Sequence, residues 1–263
     1  RMTFFLGSSA AWIPGFASTF SRAVQDGHEL GNHTAHHCHA EADGTLRACA
    51  GPSAAAEFDD CTAFLTSRLG ATAIWTSAAP YGDAGYRTAA AARFFLNRGV
   101  MNGTIAPNDD TDPFDLPIWG PAENDGVAQF RAVIDRTHRA GRWVIVLLHS
   151  IAPTSARWYA TVDISAISES IAHARSLGDV WIDTMANIGA YWRGAKLLSA
   201  ATPTVTGRTR TWTWTLPPHF PPGKLLRVKV DGGTLSQAGR VLTWDGRGYY
   251  EIALDLGALT LAP

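Results

Sequence analysis

Short apolar runs alternate with amphipathic ones through the first two thirds of the chain, and that alternation is the strongest structural signal in it. MTFFL (Met2–Leu6) predicts a buried strand, and FASTFSRAVQDG follows with helical spacing, ended by Gly27. HELGN predicts a short strand. SAAAEFDDCTAFLTSRLG predicts a helix capped by Ser53 and stopped by Gly70. AIWTSA reads as the next strand, YRTAAAARFFLNRG as a helix ended by Gly99, and VMNG as strand-like. A polar, proline-bearing connection runs from Thr104 to about Asn124. After it come a helix, GVAQFRAVIDRTHRAG, closed by Gly141, and WVIVLLH (Trp143–His149), the most strongly apolar strand expected. A helix in VDISAISESIAHARSLG, a strand in VWIDT and a helical piece in ANIGAYWRG complete this part.

Strand–helix alternation of this kind predicts a parallel sheet with helices outside it, and this many repeats suits a barrel. Chemistry in such folds sits at the C-terminal ends of the strands. Near Ser199 the texture changes: ATPTVTG is linker-like, and helical periodicity stops. RTWTWTL, LLRVKV, RVLTW and YYEIALDL are β-rich runs separated by PPHFPPG, DGG and DGRG turns. The expectation is therefore an α/β domain over 1–198 and a small, all-β, sandwich-like domain over 199–263. Trp212 and Trp214 alternate on one strand face, either as a sugar-stacking surface or as packing against a neighbour.

Composition narrows the class. The chain is 46% hydrophobic and 17% charged, enough for a substantial core, with a net charge of -1. No basic stripe is visible, which argues against nucleic acid as a partner. No run of about 18 apolar residues occurs, so no transmembrane segment is expected. The sequence opens on Arg1 without a signal peptide, and the expectation is a processed or incompletely represented exported protein. Cys38, Cys49 and Cys61 predict one disulfide and one free thiol, with the pairing open.

The stretch GHELGNHTAHHCH (Gly27–His39) holds five of the nine histidines. His33 and His37, four apart, point the same way in helical or turn geometry, as a shared divalent metal requires. His36 and His39 form a competing pair three apart. Two further features follow strands directly: His149 after the best apolar run, and SAAPYGDAG, whose Pro80-Tyr81-Gly82 corner is able to expose an amide N–H to an oxyanion.

On these residues the chain resembles the polysaccharide deacetylases, the NodB-homology carbohydrate esterases. GHELGNHT-AHH is similar to their H-[ST]-x-x-H signature, MTFFL to their ATFF strand, APYG to a variant of their third motif, and VIVLLHS to their L-x-H motif. The resemblance spans roughly residues 2–193. It implies a distorted (β/α) barrel that removes acetyl groups from an N- or O-acetylated carbohydrate, exported to the periplasm or beyond. It further implies that His33 and His37 ligate one divalent metal ion, most often zinc. Tyr81 would donate its backbone N–H to the oxyanion, His149 would serve as general acid, Leu147 would line the acetyl pocket, and Pro80 with Tyr81 would contact the substrate. Trp119 is a candidate for sugar stacking, while His36 and His39 have no role under this alignment. Rivals are a hydrolase of another C–N bond on the same fold and an inactive carbohydrate binder. The sequence departs from the pattern in three places. The T-F-D-D-G motif that supplies base and third ligand is absent before TFF, Ala78 stands where many members have arginine, and the aspartate–tryptophan motif is not recognisable. FDDC (Phe58–Cys61) is read as helix surface instead.

Overall fold

A computed structural model of the chain describes residues 1–123, 125–153 and 159–263. The chain divides into two compact units, Arg1–Met185 and Ala186–Pro263.

In the first unit, β1 (Thr3–Leu6) leads through a 3-10 turn to α1 (Ala17–Gln25), and β2 (Glu29–Asn32) returns parallel to β1. The segment after β2 contains a two-residue antiparallel pair, β3 (His39–Ala40) with β4 (Leu46–Arg47), and enters α2 (Ala54–Leu69). Then come β5 (Thr76–Ala78), α3 (Arg87–Ala91), β6 (Leu96–Asn102) and β7 (Leu116–Ile118). The five strands form a parallel sheet in the order β1-β2-β5-β6-β7. α4 (Val127–Arg139), a short parallel pair of β8 (Ser150–Ile151) and β9 (Thr161–Val162), and α5 (Ile164–Ser176) follow. No helix among the described residues is long and apolar enough to cross a membrane.

α2 shows why the local signals worked. Its buried residues, Ala54, Glu57, Phe58, Cys61, Leu65 and Leu69, recur every three or four positions and form one stripe. Ser53 Oγ accepts the Ala56 N–H at 3.2 Å, and Gly70, at φ 74°, ends the helix in the left-handed region. FDDC is accordingly helix: Phe58 and Cys61 face inward, while Asp59 pairs with Arg93 at 2.7 Å.

The two faces of the sheet differ. On one, Leu6 and Leu30 pack with Phe20 of α1 and with Phe58, Leu65 and Leu69 of α2. The same face carries a buried polar row at the strand ends. Ser77 Oγ donates to Asn97 Oδ1 at 2.8 Å, and Asn32 Nδ2 donates to Phe58 O at 2.8 Å and Thr62 Oγ1 at 2.9 Å. On the other face, the hydroxyls of Thr3 and Thr76 each donate to Glu29 at 2.7 Å, and the Arg98 guanidinium lies 5.2 Å from the Phe5 ring centroid.

Several expected elements differ. The helix expected over YRTAAAARFFLNRG stops at Ala91, and its second half enters β6. Phe94 and Phe95, just before β6, and Leu96, its first residue, are consecutive and all buried, which an amphipathic helix does not accommodate. The connection over 104–124 contains β7. WVIVLLH is not a regular strand. Trp143 pairs with Ile105 and Val146 with Trp119 through isolated bridges, because a strand forms only where a neighbour offers continuous ladder partners. VWIDT lies in irregular backbone with Trp181 49% exposed. What is formed is a mixed α/β unit around a parallel sheet. Among the described residues no ladder joins 180–184 to β1.

The second unit takes in α6 (Met185–Ala200) from Ala186 onward, then β10 (Thr204–Thr206), β11 (Thr209–Thr213), β12 (Leu225–Val228) and β13 (Thr234–Gln237). β14 (Arg240–Val241), β15 (Tyr250–Ala253) and β16 (Ala258–Ala262) complete it. An antiparallel sheet β10-β11-β16-β13-β14 accompanies a β12-β15 pair. Its core of Leu226, Leu235, Ile252, Leu254 and Leu259 packs with Tyr191, Ala195 and Leu198 of α6. That apolar helix face is why the unit begins at the start of α6, whereas the sequence texture changes at its end. Trp214 belongs to this core and donates its indole N–H to Leu254 O at 2.8 Å, so packing explains it.

Cys38 and Cys49 form a disulfide, and Cys61 is free and buried, its Sγ donating to Leu6 O at 3.2 Å. Burial pushes the Cys61 thiol up to about 11. An unfolded thiol ionises near pH 8.5. Between roughly pH 9 and 11 the unfolded chain therefore binds fewer protons than the folded one, and Cys61 makes stability fall as pH rises. Cys61→Ala should flatten that decline by up to about 1.4 kcal/mol per pH unit, measured by urea unfolding across the range. Identical slopes in the two proteins would refute the assignment.

Candidate active site

The histidine loop is built by side-chain hydrogen bonds rather than by helix. The His33 N–H donates to Leu6 O at 3.0 Å as the chain leaves β2. Asn32 Oδ1 accepts the Thr34 N–H at 2.8 Å, and Thr34 Oγ1 accepts the His37 N–H at 3.1 Å. This double turn needs left-handed backbone at Thr34 (φ 65°) and His37 (φ 55°), which costs energy in non-glycine residues. It brings the two imidazoles to 4.7 Å between centroids. The His33 Nδ1 lies 2.9 Å from Ala78 O. A carbonyl only accepts, so Nδ1 carries the proton and Nε2 keeps its lone pair.

The Pro80–Gly82 corner follows β5 directly. Tyr81 sits at φ 56°, a third strained position at the same place, and is 51% exposed. Among the described residues its backbone N–H makes no hydrogen bond. His37 meets the Tyr81 ring edge-on at 4.6 Å, and His39 stacks on it at 3.6 Å with the planes 13° apart. Asp83 Oδ2 accepts from both His39 Nδ1 and the Ala40 N–H at 3.0 Å. His39 is thus no bystander: it braces the corner that presents the Tyr81 amide.

Arg98, on β6, is directly opposite Ala78 in the sheet register. It is 4% exposed, its Nε has no hydrogen-bond partner among the described residues, and burial lowers its pKa to about 10. Burial, reinforced by the Arg98 charge, pushes His33 down to about 3; the same two causes lower His37 and His149. All three imidazoles are therefore neutral at pH 7, as nitrogen ligands and bases must be. The His149 charge acts weakly on His33, and the His149 ring lies 4.8 Å from that of Tyr159. Leu147 is partly buried beside Trp119, whose carbonyl accepts its N–H at 2.9 Å. Trp119 packs edge-on against Phe130 at 4.9 Å.

His36 also has a role that its spacing did not reveal. Glu57 is fully buried and accepts from the His36 N–H and from His36 Nδ1, each at 2.7 Å. With Cys49 these residues place three potential donor atoms within 4.8 Å of one another. Cys49 is committed to the disulfide, so no thiolate is offered there, and the carboxylate is spent on His36. This cluster anchors the loop. The signal for Glu57 was present in the sequence: it falls on the apolar stripe of α2. Arg98 carried no comparable signal.

His33 and His37 fit a divalent cation as two imidazole donors, the first with its tautomer set by a backbone carbonyl. Among the described residues no carboxylate lies within ion-pairing distance of either ring, so the donor set is incomplete.

The polysaccharide deacetylase family model matches residues 1–97. The matched segment holds β1, the histidine loop and the Pro80–Gly82 corner, and it ends before Leu147 and His149. No curated protein sequence matches the chain significantly. Similar solved structures include a CE4 family pseudoenzyme from Bacillus anthracis, at 15% identity and TM-score 0.40, covering 70% of this chain and 53% of that one. A mutant of that pseudoenzyme with restored enzymatic activity matches at 13% identity and TM-score 0.41, covering 70% and 55%. The Xyl-CE4 domain of a multidomain xylanase from the hindgut metagenome of Trinervitermes trinervoides matches at 15% identity and TM-score 0.42, covering 78% and 81%. The chain spans just over half the length of the first two, and likenesses this loose carry no argument about its activity.

Glu57→Ala should destabilise the chain by about 1–3 kcal/mol, because it leaves the His36 N–H and ring without the carboxylate that holds them. Glu57→Gln should cost less, since one oxygen still accepts. Urea midpoints for the three proteins test this, and a loss below about 0.5 kcal/mol in the alanine variant would remove Glu57 as the anchor.

Proposed function

We propose that this chain is a metal-dependent hydrolase that removes acetyl groups from an N- or O-acetylated carbohydrate. The observation that carries the reading is the pairing of His33, its Nε2 freed by the Ala78 carbonyl, with His37 beside Tyr81. The family match over the same segment supports it. The parallel sheet is read as an arc of a distorted (β/α) barrel. The Cys38–Cys49 disulfide suits an exported protein.

In this reading His33 and His37 hold one divalent cation, zinc first by the chemistry of an imidazole pair. Such an ion supplies Lewis-acid polarisation of the acetyl carbonyl and a water of lowered pKa. The remaining steps belong to the chain. The Tyr81 N–H, held outward by the strained corner, donates to the oxygen on which charge develops. Leu147 and Pro80 form the apolar contact for the acetyl methyl. Trp119, half-buried on Phe130, is the remaining candidate for a sugar contact. His149 is neutral before reaction, because burial and Arg98 disfavour its cation. It accepts a proton as water attacks, then returns it to the leaving amine or alkoxide.

A second reading, carbohydrate binding without turnover, is favoured because no carboxylate among the described residues lies within ion-pairing distance of the histidine pair. Acetate release from a panel of acetylated glycans decides between them. The hydrolase reading expects release that chelation abolishes, and binding without release would favour the second. His149→Ala should lower turnover by roughly 10²–10⁴-fold with metal content unchanged. Unchanged turnover in that variant would return His149 to a structural role.

A further inference from the structure

The Cys38–Cys49 disulfide sets a sulfur beside a buried carboxylate. Cys49 Sγ lies 3.6 Å from Glu57 Oε1, the same oxygen that meets His36 Nδ1 at 2.7 Å. A disulfide sulfur has neither a proton nor a charge with which to hold a carboxylate, whereas a thiol donates and a thiolate binds cations. The chain nevertheless builds this contact closely. Gly51 packs so tightly on Glu57 that any side chain there would collide with Oε1. The Gly51 N–H also points back at Cys49 Sγ, 3.3 Å away.

His36, Cys49 and Glu57 each contribute one donor atom to a group whose members lie within 4.8 Å of one another. An imidazole nitrogen, a thiolate sulfur and a carboxylate oxygen form a set that zinc accepts, with water in the fourth position. Only the bond from Cys49 to Cys38 withholds the thiolate. His36 is exposed and Cys49 half-buried, while Cys38 and Glu57 are buried. A small thiol arriving from solution therefore meets the Cys49 sulfur before that of Cys38.

We propose that reduction of the Cys38–Cys49 disulfide converts His36, Cys49 and Glu57 into a zinc site of their own, present only in the dithiol state of the chain. A small dithiol supplies the two electrons. One of its thiolates attacks Cys49 Sγ, the Cys38–Cys49 bond breaks, and Cys38 leaves as a thiolate that takes a proton from water. The second thiolate of the reductant then attacks the reductant sulfur bonded to Cys49. The reductant departs as a cyclic disulfide, and Cys49 is released as a thiolate. Zinc binds that thiolate and displaces the His36 ring proton to water, joining the imidazole and the carboxylate through the metal. The Gly51 N–H then donates to a charged sulfur, an outer hydrogen bond of the kind that steadies a metal ligand. None of His33, His37, Tyr81 or His149 takes part, so this site stands apart from the deacetylase reading.

Cobalt(II) serves as the probe, because a cobalt–thiolate bond adds a near-ultraviolet charge-transfer band that imidazole and carboxylate ligands do not. Cobalt is titrated into the oxidised chain, and into the chain reduced with a dithiol that is then removed under anaerobic conditions. The band should be absent from the oxidised chain and should appear and saturate in the reduced one. Cys38→Ser frees Cys49 without any reductant and should show the same band. Reduced Cys49→Ser and reduced His36→Ala should lose it at the cobalt concentration that saturates the wild-type chain. A reduced chain and a Cys38→Ser chain that both lack the band overturn the proposal. A band that persists in Cys49→Ser assigns the metal to another cysteine, and one that persists in His36→Ala assigns it to thiols alone; either result overturns the proposal too.

Discussion

Both oxygens of the Glu57 carboxylate accept hydrogen bonds from His36, one from its backbone and one from its ring, and the geometry of the candidate site follows from that anchor. His36 lies between His33 and His37, so pinning it to α2 holds a loop whose backbone would otherwise relax from the left-handed region. Asn32 secures the other end, tied to α2 by its amide and to Thr34 by its carbonyl oxygen. The strain at Thr34 and His37 is thereby set against buried, charge-assisted hydrogen bonds on a rigid helix. The Cys38–Cys49 disulfide closes the outer side of the same loop.

A second brace acts from the other wall. His39 leaves the loop to stack on Tyr81, and Asp83 fixes the His39 ring, so the histidine loop and the Pro80–Gly82 corner support each other. Two strained segments that follow different strands thus meet at the His37, His39 and Tyr81 rings, beside the His33–His37 pair. Such pre-arrangement is what lets donors act on a developing charge without reorganising. The depressed pKa values of the three imidazoles belong to the same design, because a burial that keeps them neutral keeps their lone pairs available.

Much of this was legible in the sequence. β1 and the strand before Ala79 were legible as apolar runs, α2 in its cap, stripe and terminal glycine, and the Pro80–Gly82 corner in its position after a strand. The reading failed where one-dimensional pattern is ambiguous. Phe94–Leu96 is as apolar as a helix face, yet it is the buried entry into β6. Trp143–His149 is more apolar than any other run, yet it obtains only isolated bridges. Among the site residues, spacing selected His33 and His37 but could not show that His36 and His39 are structural partners, because Glu57 and Asp83 are 21 and 44 residues away. Arg98 was invisible for the same reason: its importance lies in what surrounds it.

The central claim is that His33 and His37, rather than the His36–Cys49–Glu57 cluster, form the metal centre. X-ray absorption at the zinc edge of the zinc-loaded, disulfide-intact chain tests it directly. The account predicts two imidazole nitrogens at about 2.0–2.1 Å with oxygen as the remaining ligands, and loss of the imidazole signal in His33→Ala/His37→Ala. A sulfur scatterer at about 2.3 Å, or an imidazole signal that survives in the double variant, would contradict it.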